Sequence, residues 1–379
     1  MKIIISPDSF KGSLTSVEAA NAIERGVKKV FPNADIYKMP VADGGEGTVD
    51  VLSHIKDSVV CKAIVQGPLG STVEANYLMT KENTAIIEMA QASGITLLKK
   101  EELNPMLTST FGTGQLIIDA LEHGAQKIVL AIGGSATNDG GAGLAQAIGI
   151  SIKDSNNNQV VPNCAGLANM VSIDSSAMDE RIKSIPIEIA CDVTNTLCGK
   201  NGASQIYGYQ KGATVEMAEQ MDDILFRYAK EIENCSGMDV LNIPGSGAAG
   251  GIAVPLLAFA GAKIVSGIEA VLTLIDFDKE VQTAQLVITG EGRIDRQTCF
   301  GKVIAGILKK TAPKNIPVIA FCGSLQAGYE DLFQMGLTSC FSILSSPMEL
   351  EVAIQNADPF LEDTTVRAMK MLTVGCDIS

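Results

Sequence analysis

Short apolar runs alternate along the chain with stretches in which apolar residues recur every three or four positions. Ile3-Ile4-Ile5 reads as a buried opening strand, and after a polar break Val17, Ala20, Ile23 and Val27 fall at helical spacing. Ser16 is placed to cap that helix, and Asp35–Met39, following the breakers Pro32 and Asn33, reads as a second extended segment. Toward the C-terminus, Leu286–Thr289, Val318–Phe321 and Cys340–Ile343 each read as a buried strand, with a helical stretch over Lys302–Lys310 between the first two. Strand, helix, strand in that order predicts parallel pairing through crossover helices.

The middle of the chain is patterned differently. Val59–Val65 and Val73–Met79 flank Gly67-Pro68-Leu69-Gly70, a hairpin signature, and Ala85–Met89 is positioned to add an antiparallel neighbour. The pattern therefore predicts an α/β protein: a parallel-sheet, three-layer, Rossmann-like domain over residues 1–66 and 284–379, made discontinuous by an inserted mixed α/β domain over 67–283. A length of 379 residues agrees with two cores rather than one. The longest apolar region, Ala248–Ile268, is broken by paired glycines, Pro255 and Lys263, and reads as a buried helix pair instead of a membrane span. Lys153–Gln159, with three consecutive asparagines, reads as a surface turn.

Composition narrows the function classes. Hydrophobic residues make up 46% against 19% charged, with 37 glycines, which fits a globular chain of many short elements. A net charge of -14 repels polyphosphates and anionic lipid, so neither nucleic acid nor a membrane is an expected partner, and an anionic substrate needs a local basic pocket. The nine cysteines form no CxxC pair, and Cys191 with Cys198 does not match a zinc spacing, so they read as reduced thiols. Met1–Ile5 runs directly into Pro7, Asp8 and Lys11, without the apolar stretch of a signal peptide. The expectation is a cytoplasmic protein; assembly into a homo-oligomer is left open.

Candidate chemistry sits in polar loops after the predicted strands. Ile128–Ile132 leads into Gly133, Gly134, Ser135, Ala136, Thr137, Asn138, Asp139, Gly140 and Gly141, then into a helix start over Leu144–Ile148. Glycines at such a turn let consecutive amides converge on a phosphate, although the spacing is not that of a P-loop. A tight strand-to-helix connection is the plainer reading of the same glycines. Asp43 and Glu46, in one Gly-rich loop, and Glu291, Arg293 and Asp295, in another, follow extended segments, where carboxylates can bind Mg2+ or accept a proton. Asp8 and Lys11 stand together at the end of the first strand, with Lys11 a candidate clamp for developing negative charge. Asp192, after Ile187–Ala190, is the preferred general base, with Asp295 the competitor; the glycine run Gly245–Gly251 takes no specific ligand. The two histidines, His54 and His123, both lie on helical patterns, His123 beside a helix end, and are too little material for histidine-based catalysis.

Taken together, Pro7–Gly12, Ala42–Thr48, Gly133–Gly141, Cys191–Asn195 and Thr289–Asp295 resemble, in order and over nearly the whole chain, the glycerate kinase type-1 family. Thr196 stands where that family is associated with proline. The resemblance implies ATP- and Mg2+-dependent phosphorylation of D-glycerate, a step of organic-acid breakdown, and leans toward 2-phosphoglycerate as product. With that activity, the residues read above are expected to serve as follows: Asp192, Asp295 and Lys11 as catalytic, Gly133, Gly134, Ser135, Asn138, Asp139, Gly140 and Gly141 as nucleotide-binding, Asp8, Glu291 and Arg293 as substrate-binding, and Asp43 and Glu46 as metal-binding. Another small hydroxy acid or polyol as acceptor, or a non-catalytic metabolite sensor, are the alternatives.

Overall fold

The computed structural model describes residues 1–41, 58–299 and 303–378. In chain order the strands are β1 (Lys2–Ile5), β2 (Asp35–Lys38), β3 (Val59–Gln66), β4 (Thr72–Met79), β5 (Thr84–Glu88), β6 (Lys127–Ala131), β7 (Ser151–Lys153), β8 (Ser172–Asp174), β9 (Ile187–Ala190), β10 (Lys263–Val265), β11 (Leu286–Ile294), β12 (Val318–Leu325) and β13 (Ser339–Ser342). The chain divides into two compact units, Met1–Asp43 with Ile268–Ser379, and Gly44–Gly267.

The first unit holds a five-stranded, wholly parallel sheet in the order β13-β12-β11-β1-β2. Strand side chains alternate faces, so Ile3 and Ile5 meet the helices Ser16–Val30 and Ala357–Ile378, joining Ile23, Val27 and Leu361 in one core. The helix Val303–Thr311 packs on β11 and β12. Thr15, not Ser16, caps the first helix: its hydroxyl accepts from the Glu18 amide while the Glu18 carboxylate accepts from the Thr15 amide. The Thr-x-x-Glu spacing of a capping box outweighs the one-residue-later serine, which is buried. From β1 the chain moves outward to β2 on one side, while β11, β12 and β13 extend the sheet on the other. Strand order therefore reverses between β1 and β11, the position at which open parallel sheets leave a crevice beyond their C-terminal ends.

The second unit holds a six-stranded mixed sheet laid out in chain order, β3 to β6 and then β9 and β10. β5, β6, β9 and β10 run parallel; β4 pairs antiparallel with β5, and β3 with β4, through the expected Gly67–Gly70 turn. A small β7–β8 hairpin lies beside it, and Asn157 takes φ 64° in the turn after β7. β3 pairs with β4 along its full length, which draws residues 59–66 into this unit. Residues 268–283 go the other way, with Ile268 against Gly306 of the first unit. The divisions thus fall near 43 and 267 instead of 66 and 284. Ala248–Ile268 also departs from a helix pair: a 3-10 turn, Ala248–Gly250, leads into one complete α-helix, Val254–Ala260, and then β10, before the helix Gly267–Leu274 begins. Three residues are too few to display strand alternation, and only pairing with β9 reveals them. No helix among the described residues is long and apolar enough to cross a membrane.

Candidate active site

At the reversal point of the first sheet, the chain leaving β1 stays alongside β11. Ser6 donates its amide to Ile288 O at 2.7 Å, Asp8 to Gly290 O at 2.8 Å, and the Thr289 hydroxyl returns a bond to Ser6 O. Glycine on β11 eases this close approach, since a Cβ on Gly292 would lie 3.2 Å from Lys11 N, and on the other side of the strand a Cβ on Gly290 would lie 2.5 Å from Phe321 O of β12. Asp8 and Glu291 are thereby carried, both buried, to the C-terminal ends of adjacent strands, with Lys11 exposed next to them. Thr298, fully buried, donates its hydroxyl to Glu291 Oε1 at 2.7 Å and accepts the Asp295 amide at 3.2 Å. Asp295 is engaged at both oxygens, Oδ2 by Arg293 Nε at 3.0 Å and Oδ1 by the Gln297 amide at 2.8 Å. Structure thus assembles Asp8, Lys11, Glu291, Arg293 and Asp295 on one edge of one sheet.

In the second unit, Glu88, Ala131, Ala190 and Val265 end β5, β6, β9 and β10 in a single row of the ladder. The loops beyond that row carry the Gly133–Gly141 segment and Asp192. Gly133 and Gly134 are the accessible part of the first loop; Ser135 is nearly covered, and Asn138, Asp139, Gly140 and Gly141 are buried. This corrects the expectation of a continuous phosphate-facing loop. The Asp139 carboxylate takes the amides of Thr110, Gly141 and Gly143 and the Thr110 hydroxyl, at 2.8–3.1 Å, so the Gly141 amide, expected to face a phosphate, is already occupied. Burial raises the Asp139 pKa, a rise that these bonds offset only in part. All of the donors need an acceptor oxygen, so the ionised form is the one this site satisfies. Asn138 likewise turns inward, donating to Ser204 Oγ at 2.9 Å.

What holds the loop from behind is the second glycine run. Gly140 donates its amide to Gly250 O at 2.8 Å, and a Cβ on Gly250, whose φ is +73°, would sit 2.1 Å from Thr137 O. Two backbones cross here with no room for a side chain. Gly250→Ala should therefore destabilise the protein by about 3 kcal/mol, adding overpacking to a left-handed backbone penalty, as read by urea denaturation. Between the two loops Ser135 Oγ reaches Thr137 Oγ1 at 3.0 Å and Ala249 O at 3.3 Å. Asp192 is half-buried, its Oδ1 accepting the Ser266 hydroxyl at 3.0 Å and the Gly267 amide at 2.8 Å. Asp43 and Glu46, the expected metal pair, lie outside the described residues, as does His54. His123 ends the helix Phe111–Glu122, its Nδ1 2.8 Å from Asp119 O.

The model of the glycerate kinase family matches residues 3–373. The chain is 47% identical over 361 residues to a glycerate kinase of Halalkalibacterium halodurans, covering 95% of each chain. It is 45% identical over 358 residues to the glycerate 2-kinase of Escherichia coli, covering 94% of each. A crystal structure from Salmonella typhimurium LT2, described as a candidate glycerate kinase 2, superposes with a TM-score of 0.90 at 44% identity, over 100% of this chain and 99% of that one. The chain belongs to the glycerate kinase family.

It is accordingly a kinase with an alcohol group as phosphoryl acceptor. Within this glycerate kinase-family fold, three polar residues that sequence reading passed over stand among the motif residues. Glu88 ends β5 at 2% exposure, Thr298 ties the Glu291 and Asp295 turns together, and Lys211 is buried against the glycine loop. Each lies in a stretch without motif character, and only the pairing of distant segments shows its surroundings. Among the described residues no group of three or more His, Cys, Asp or Glu side chains forms a metal cage.

Proposed function

We propose that this chain transfers the γ-phosphoryl group of ATP to D-glycerate, forming 2-phosphoglycerate. The observation that carries the reading is the pair of buried carboxylates, Asp8 and Glu291, set on adjacent strands at the sheet reversal beside Lys11. Carboxylates there suit acceptance of hydrogen bonds from the hydroxyls of a small polyhydroxy acid, while Lys11 and Arg293 supply the positive charge that its own carboxylate needs. In the second unit the accessible Gly133–Gly134 turn with Ser135 is assigned to the nucleotide phosphates. Mg2+ is assigned to Asp43 and Glu46; when bound, it neutralises charge on the phosphates. The acceptor hydroxyl oxygen attacks the γ-phosphorus in line, its proton passes to a carboxylate, and ADP leaves.

Of the two base candidates, Asp192 is favoured because Asp295 has both oxygens committed within its own turn. The 2-phosphoglycerate assignment is supported by the similarity to a relative called glycerate 2-kinase. The two units are read as domains, the second inserted in the first, and the cytoplasm as their compartment. The test is Mg2+-dependent ADP release from ATP with and without D-glycerate, with phosphorus NMR of the product. Release that depends on glycerate and yields 2-phosphoglycerate is the expected result; 3-phosphoglycerate would reassign the acceptor hydroxyl, and turnover with tartronate but not D-glycerate would replace the substrate.

A further inference from the structure

Lys211 is the charged residue whose position stability explains least. It closes the turn Tyr209–Lys211 and is 2% exposed, and Gly212 follows with φ +97°, where a Cβ would meet Leu103 O at 2.4 Å. Its ammonium donates to Thr137 O at 2.6 Å and reaches Ser135 Oγ at 3.4 Å. Among the described residues no carboxylate lies within ion-pair distance of it; Asp139, on the same loop, acts only from further away. Burial brings the Lys211 pKa down to about 7, opposed by Asp139. A buried cation without a direct counter-ion costs stability, so a methionine of similar length would serve the fold at least as well.

The partners of Lys211 indicate what it serves. Ser135 is the first buried residue after the accessible half of the loop, Gly133–Gly134, and Thr137 lies two residues further into the buried half. The same segment holds the loop a second time through Ser204 Oγ, and holds the neighbouring Asp192 loop through Tyr207 OH, which donates to Asn195 Oδ1 at 2.6 Å. Residues 203–211 therefore form a brace behind both loops, and Lys211 is the point of that brace nearest the accessible turn's own hydroxyl, Ser135.

We propose that Lys211 is a positioning residue for nucleotide binding: by holding the Thr137 carbonyl and the Ser135 hydroxyl it fixes the Gly133–Ser135 backbone in the shape that receives the phosphates of ATP. This rests on the assignment of that turn to the nucleotide. Lys211→Met in the full chain should keep or raise the urea midpoint while raising KM for ATP by about tenfold or more, with kcat and KM for D-glycerate changed far less. Lys211→Gln, which retains a donor for Thr137 O, should recover part of the ATP affinity. A purely structural lysine would give the opposite pattern, a lowered midpoint with KM for ATP within twofold of the unaltered protein, and Lys211→Met folding with unchanged KM for ATP overturns the proposal. Hydrogen exchange of the unaltered protein with and without Mg-ATP separates the two assignments. Protection of the Gly133–Ser135 amides together with unchanged KM in Lys211→Met sinks the role of Lys211 alone; no protection sinks the nucleotide turn and Lys211 with it.

Discussion

Asp139→Ala is expected to cost about 4 kcal/mol or more of unfolding free energy, since each buried donor stranded without an acceptor costs about 1–3 kcal/mol. Four donors converge on this one carboxylate, three of them backbone amides that no rotamer change can redirect. They come from both sides of a long sequence gap, Thr110 at the start of the helix Phe111–Glu122 and Gly141 and Gly143 at the start of the helix Ala142–Ala147, so the loss would loosen two helix starts together. Water entering the cavity would recover part of the cost. Asp139→Asn should fall between, because the amide keeps one acceptor oxygen but turns N–H groups toward donors that already point inward. Urea denaturation checks both. A midpoint for Asp139→Ala equal to that of the unaltered protein would mean that the Gly245–Gly251 run holds the loop without help.

Asp139 belongs to a loop that the sequence singles out for ligand binding and that the fold turns partly into structural support. The loop Gly133–Gly141 was legible as a place, being a strand, a glycine turn and a helix start, and its location beyond β6 follows. Its division into an accessible half and a buried half was not legible, because it depends on Gly250 and Tyr228 packing onto Gly140 from more than eighty residues away. The same contrast holds at the other edge. Alternating apolar runs identified β1 and β11, and their loops carried Asp8, Lys11 and Glu291, but side-by-side placement required the parallel pairing of residues more than 280 positions apart. Local propensity reports what a segment prefers, whereas Thr298 and Lys211 draw their roles from what distant segments bring to them. The strand β10 was missed for a related reason: its three residues have no period of their own, and β9 supplies the order.

Turnover should fall by roughly 10²–10⁴-fold in Asp192→Asn if this carboxylate takes the acceptor proton, the usual contribution of a positioned general base. The substitution is nearly isosteric and keeps an Oδ1 that can accept from Ser266 Oγ and the Gly267 amide, so the loop that follows β9 should remain in place. The competing view is that Asp192 exists to hold those two donors, in which case Asn loses little turnover and Ala loses stability. Asp295→Asn provides the control. Its oxygens are already held by Arg293 Nε and the Gln297 amide, and its amide rests on Thr298 Oγ1, so its loss should act by displacing Arg293 and should weaken D-glycerate binding more than it slows the bound reaction. Steady-state kinetics of the two variants, beside their urea midpoints, decide between these accounts. A large fall in kcat for Asp295→Asn with near-normal turnover for Asp192→Asn would exchange the roles, the proton then going to a lone pair of Asp295 that Arg293 and the Gln297 amide leave open.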